Sequence, residues 1–255
     1  MIVVLAMLVA PVTHAATFNG LAQARSVAIG GVLTLNDFDT GETFDANAAP
    51  NEGTLTGDFG LFNKSVGLGT LVLDNPLGSG QGAGRAAQTS RLGPERIEFD
   101  GVADVFMSGQ LNTFNADLAG SGSAASRLAY SFSLAQDTTV LLDMISELGP
   151  RGNSFTFSLS RDDGAVIWNE TSVFDDDGNE HRAFARTLLL TAGVYHLGST
   201  LSASSFFSGD FGFSGRGLAT YSITPVPLVH PLVLMASATA LGVVLGRRRT
   251  RAQTP

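Results

Sequence analysis

Asp175, Asp177 and Glu180 form the densest group of hard oxygen donors in this chain of 255 residues, within Asp175-Asp176-Asp177-Gly178-Asn179-Glu180. Calcium takes several carboxylate and carbonyl oxygens on a tight turn, so these three residues are a candidate calcium site. The register is not that of an EF-hand. With Asp177 and Gly178 at the fifth and sixth loop positions, Val173 and Phe184 fall at the first and last. A solvated acidic turn accounts for the same residues. Asn36-Asp37-Phe38-Asp39-Thr40-Gly41-Glu42 is a second, sparser oxygen-rich turn.

Acyl-transfer chemistry of the Ser–His–Asp type needs a histidine. The chain has four: His14, His181, His196 and His230. His14 and His230 fall in apolar terminal segments, and His181 follows the acidic turn. His196 sits between Tyr195 and Leu197 in an alternating stretch, so it points to solvent if they face the core. No Gly-x-Ser-x-Gly elbow stands in a strand–turn–helix context. There is no Cys, which excludes disulfides, thiol chemistry and zinc ribbons. No catalytic set emerges, and no cofactor other than calcium is suggested. Gly78-Ser79-Gly80-Gln81-Gly82-Ala83-Gly84 has the glycine density of a phosphate loop but not its Gly-Lys-Ser/Thr ending, and reads as a flexible loop. Trp168 and the Phe206-Phe207, Phe211 and Phe213 group could face a sugar; packing in a core is the plainer reading.

The elements that must carry these residues are strands. Charged residues make up 15% of the chain, against roughly 25% in an average domain. Gly, at 30, and Phe, at 17, are abundant. Such a mix suits an all-β fold with many turns. Period-two alternation recurs between residues 16 and 224: Leu128, Tyr130, Phe132 and Leu134 share one face, as do Val140, Leu142 and Met144, then Phe155, Phe157 and Leu159, then Ala219, Tyr221 and Ile223. Asp163-Gly164 marks a hairpin turn. Val27–Leu35, Gly67–Leu73 and Leu92–Phe106 also read as strands. The predicted fold is an antiparallel β-sandwich. Ala119–Ser126, AGSGSAAS, is either a linker between two β domains or a loop within one, with one sandwich preferred.

All 23 acidic residues lie between Asp37 and Asp210, whereas Arg247, Arg248, Arg249 and Arg251 cluster in the tail. An acidic body without a basic patch excludes nucleic acid as an expected partner. Met1–Ala10 is a continuous apolar run, followed by Pro11 and then Thr13-His14-Ala15. That is the pattern of a secretory signal over residues 1–15, cut by signal peptidase after Ala15. Pro231–Gly246 contains no charged residue and is followed at once by the arginines. A helix here is long enough to span a bilayer, with its arginines on the cytoplasmic side and the body outside. Both ends therefore imply one topology.

The C-terminal combination resembles the PEP-CTERM sorting signal of exosortase substrates. The matching residues are Val226, Pro227 and Pro231, the apolar span, and Arg247, Arg248 and Arg249; Leu228 stands where that signal has Glu. The resemblance implies an exosortase-like sorting enzyme as partner, a membrane intermediate, and a final place at the cell surface or in an extracellular polysaccharide matrix. Within the body, YSFSLAQDTTVLLD, FTFSLSRDDGAVI and LLLTAGVYHL resemble bacterial pre-peptidase C-terminal and related jelly-roll domains. This implies a jelly-roll-like sandwich over 16–224, followed by a sorting or anchor segment over 225–255. The expectation is an exported, surface-sorted or membrane-anchored β-sandwich with a structural or adhesive role and no catalysis. A carbohydrate-binding module, calcium-assisted, is the alternative.

Overall fold

The computed structural model describes residues 16–55, 59–149, 153–173, 180–209, 211–212 and 214–226. Along these residues run β1 (Asn19–Asp37), β2 (Thr43–Ala48), β3 (Asn51–Leu55), β4 (Leu61–Gly67), β5 (Leu71–Asn75), β6 (Gly78–Leu92), β7 (Ile97–Leu111) and β8 (Ala116–Leu134). Then follow β9 (Thr138–Leu148), β10 (Ser154–Arg161), β11 (Val166–Val173), β12 (Glu180–Leu190), β13 (Gly193–Ser208), β14 (Phe211–Gly212) and β15 (Ser214–Pro225). The protein is all-β. Its strands form two antiparallel sheets that pack face to face over one core.

Sheet A runs β11-β10-β13-β8-β1-β2, with β3 beside β1 and β14 beside β13. Sheet B runs β12-β9-β15-β7-β6-β4, with β5 beside β6. The pairings β10–β11, β9–β12, β8–β13 and β7–β15 are nested one inside the next. Two further strands widen both sheets at the same side, β1 against β8 and β6 against β7.

Each expected alternating face is buried. Leu128, Tyr130, Phe132 and Leu134 line the core from β8; Phe155, Phe157 and Leu159 do so from β10, and Ala219, Tyr221 and Ile223 from β15. The hairpin at Asp163-Gly164 joins β10 to β11, and Gly164 takes the positive φ of +84° that the turn requires. Expected strand Gly67–Leu73 is interrupted: β4 ends at Gly67, Gly69 turns the chain with φ +71°, and β5 begins at Leu71.

Two low-complexity stretches depart from the sequence reading. Gly78–Gly84, read as a flexible loop, lies in β6, an inner strand of sheet B paired on both sides. Ala119–Ser126, read as a linker or loop, lies inside β8, which continues through it for 19 residues. The cause is the same in both. Gly80, Gly82, Gly120 and Gly122 alternate on the inner faces, and side chains from neighbouring strands and from the facing sheet fill the space a Cβ would take. A Cβ at Gly82 would lie 2.6 Å from the Met107 sulfur, and one at Gly80 would lie 3.3 Å from a methyl of Leu33. The Phe207 ring is wedged between Gly109 of β7 and Gly120 of β8. Glycine thus acts here as the small half of an interdigitating pair.

The core has two compositions along its length. Toward one pole it is aromatic: Phe132 stacks on Tyr130 and Tyr195 at 5.5 and 5.6 Å, and Tyr221 stacks on Phe99 at 5.1 Å. Toward the other pole large side chains pack against glycine, with Leu33, Leu118 and Met107 fully buried beside Phe207. Arg25, only 2% exposed, is the largest of the fully buried side chains. It donates to Gln23 Oε1 at 2.9 Å and the Gly60 carbonyl at 2.8 Å, and lies over the Phe62 ring at 5.2 Å. It therefore pins β1 of sheet A to the edge of sheet B.

Both ends of the described chain leave at the aromatic pole. The Phe18 amide donates to the Pro94 carbonyl in the β6–β7 turn, and the Val226 amide donates to the Thr139 carbonyl at the start of β9. From there β8 runs 19 residues to the opposite pole, about 60 Å at the usual rise of a strand. No helix among the described residues is long and apolar enough to cross a membrane. The signal segment with Ala15, and the expected transmembrane helix, lie outside the described residues.

Candidate functional site

Outward-facing residues of sheet B line an open basin of about 400 Å³ over β6, β7, β15 and β9. Strand register places its polar groups in two rows. One row crosses Arg91, Glu98, Ser222 and Asp143; the next crosses Thr89, Asp100, Thr220 and Ile145. Directly opposed side chains of neighbouring strands stand about 5 Å apart at Cβ, so hydrogen-bonding groups follow one another closely across the sheet. Leu61, 59% exposed, and Ile145, 42% exposed, add apolar contact at the rim. Arg96 pairs with Glu98 at 3.0 Å. The basin can hydrogen-bond a hydroxylated ligand across its open mouth. It does not enclose one.

The outer face of sheet A brings together a set that sequence reasoning set aside. His196 points outward, as its alternation predicts, while Tyr195 and Leu197 are buried. Its Nδ1 lies 2.9 Å from Ser131 Oγ, and its Nε2 lies 3.1 Å from Asp162 Oδ1. The tautomer protonated at Nε2 satisfies both contacts: Nε2–H donates to Asp162, and Nδ1 accepts from the Ser131 hydroxyl. Two strands and a hairpin turn supply these residues, so only the β8–β13–β10 register could have revealed the set. The relay lies flat on an open sheet. Its neighbouring backbone amides are engaged in the ladders to β8 and β10, and oxyanion stabilisation needs such donors free and converging.

Of the expected calcium ligands, Asp175 and Asp177 lie outside the described residues, and Glu180 opens β12 by pairing with Leu148. Among the described residues, no group of three or more His, Cys, Asp or Glu could hold a metal ion. In the second oxygen-rich turn the Asp37 carboxylate serves the turn itself. Asp37 accepts from the Thr40 hydroxyl at 2.7 Å and the Asp39 amide at 2.8 Å, which holds its carboxyl below the usual range. Of the sorting residues, Val226 closes the described chain, and Pro227, Pro231, Arg247, Arg248 and Arg249 lie outside it. Trp168 packs against the core beside Phe184, and Phe207 is buried, whereas Phe206 is 53% exposed.

No family model matches the chain, and no curated protein matches it. Among solved structures, it is similar to the isomalto-dextranase of Arthrobacter globiformis T6 complexed with panose, at 11% identity and a TM-score of 0.22, over 82% of this chain and 34% of that one. A structure of infectious bursal disease virus, Gx strain, gives 9% identity and a TM-score of 0.25, over 85% of this chain and 58% of that one. A family 43 arabinoxylan arabinofuranohydrolase from Bacillus subtilis in complex with cellotetraose gives 7% and 0.20, over 72% and 59%. This chain thus spans between about a third and three-fifths of the length of the structures it matches. Likenesses with such low TM-scores bear neither on its activity nor on its ligands.

Proposed function

We propose that this chain is an exported, non-catalytic β-sandwich with a structural or adhesive role at the cell surface or in an extracellular matrix. In this reading residues 1–15 are a signal peptide and 16–224 a jelly-roll-like body, whose nested strand pairs support that topology. Residues 225–255 sort or anchor the chain, through an exosortase-like enzyme and a membrane-spanning helix. The observation that carries the reading is the exit of both chain ends at one pole. A sandwich held by its C-terminal segment there presents the other pole outward, clear of the surface. The open Ser131–His196–Asp162 relay then orders the surface of sheet A and does no chemistry.

The test is the intact mass of the protein recovered from its native host, by cell fraction. Loss of the residues after about Val226, with the body in the surface or extracellular fraction, is the expected result. An unprocessed chain in the cytoplasmic fraction overturns it.

A second reading, carbohydrate binding, is favoured by the basin on sheet B, whose Arg91, Glu98, Ser222 and Asp143 suit a polyhydroxylated ligand. Glycan arrays with and without calcium test it. Calcium dependence would point to Asp175, Asp177 and Glu180. A flat array in both conditions removes this reading and leaves the structural one.

A further inference from the structure

The pole opposite the chain ends carries two phenylalanines that the core does not use. Phe38 is 65% exposed and Phe114 fully exposed. Neither hangs on a loose loop. The Phe38 amide donates to the Asn115 carbonyl at 2.9 Å, and Asn115 Nδ2 donates to Asp39 Oδ2 at 2.9 Å, which joins the β1–β2 turn to the β7–β8 turn. The Asn112 amide donates to the Leu77 carbonyl at 2.9 Å, which ties in the β5–β6 turn. Gly41, at φ +72°, closes the first turn, and the Gly41 amide donates to the Asp37 carbonyl. Three cross-tied turns thus hold two aromatic rings in water. That costs solvation in the free chain and spares ordering entropy on binding.

The surroundings of the rings indicate what they meet. Asp37, Asp39, Glu42 and Asp74 lie on these turns or at their edges. Residues 35–45, 72–80 and 108–118 contain no Lys or Arg. Aromatic faces and carboxylates both attract cations, and the rings also offer apolar area. An anionic lipid surface is repelled by this charge, and a neutral glycan makes no use of it.

We infer that this pole is a docking surface for a polypeptide segment that is both basic and apolar, with Phe38 and Phe114 as its anchors. The inference stands apart from export and from the basin on sheet B.

The experiment uses the full chain in mild detergent and two immobilised peptides of equal length and charge, one alternating Arg with Leu and the other Arg with Ser. The wild-type chain is expected to hold the Arg–Leu peptide about ten-fold more tightly, and added salt weakens that binding. Phe38→Ser with Phe114→Ser, which leaves net charge unchanged, abolishes the preference while circular dichroism stays that of the wild type. Glu42→Gln with Asp74→Asn weakens binding several-fold and keeps the preference. Equal binding to both peptides, or an unchanged preference in the Phe double variant, overturns the inference, because only the net acidity of the body is then at work. Phe-dependent binding to neutral dextran or to anionic vesicles in preference to the Arg–Leu peptide overturns it as well.

Discussion

Arg25 shows how a single residue can hold two layers together. A buried guanidinium is tolerated where its donors are satisfied, and here they reach Gln23 and backbone carbonyls at Gly60 and Ser90. Truncation by Arg25→Ala removes these bonds and the packing on Phe62. The expected loss is about 3 kcal/mol, read from the midpoint of urea unfolding at unchanged slope. The tyrosines give a second residue-scale test. Burial pushes the Tyr130 hydroxyl up to about 12, and Tyr221, fully buried against Ser199, is pushed upward too. The folded chain therefore keeps protons that the unfolded chain releases above its ordinary tyrosine value, near 10. Stability from these groups is present below about pH 10 and declines as pH rises from there towards 12. Denaturation monitored between pH 9 and about 12 checks this. Tyr221→Phe removes the Tyr221 share of the alkaline loss.

At the scale of the element, β6 makes the sharpest prediction. Gly80 and Gly82 face the core, and Ser79 and Gln81 face water. Gly80→Val with Gly82→Val forces side chains into Leu33 and Met107 and should cost about 2–6 kcal/mol. Ser79→Val with Gln81→Val, which places the same two valines on the outer face, should stay within about 1 kcal/mol of the wild type. Equal effects from the two pairs would mean that the register is wrong.

The same strand marks how far the sequence could be read. Strands such as β8 around Phe132, and β10 with Phe155 and Phe157, were legible because large apolar residues alternate with small polar ones. β6 and the first half of β8 were not. Glycine carries no side chain, so its inward positions leave no hydrophobic signal, and the partners that fill the space come from distant strands. Of the candidate sites, the outward direction of His196 followed from its neighbours. Its meeting with Ser131 and Asp162 did not, because pairing register across β8, β13 and the β10–β11 turn is tertiary information. The basin on sheet B was hidden for the same reason: Arg91, Glu98, Ser222 and Asp143 come from four strands and share no local motif.

For the whole molecule, the long inner strands set a polarity. Phe18 and Val226 leave at one end, and Phe38 and Phe114 stand at the other, with β1 and β8 running between. A chain exported and held by its C-terminal segment presents the far pole to the outside. The natural chain has no Cys, so a single introduced thiol reports its own position without background. The most direct test is Phe114→Cys, expressed in the native host and treated with a membrane-impermeant maleimide before lysis. The account predicts labelling in intact cells, equal to that after lysis. Labelling that appears only after lysis would contradict export, and with it the surface role proposed for this sandwich.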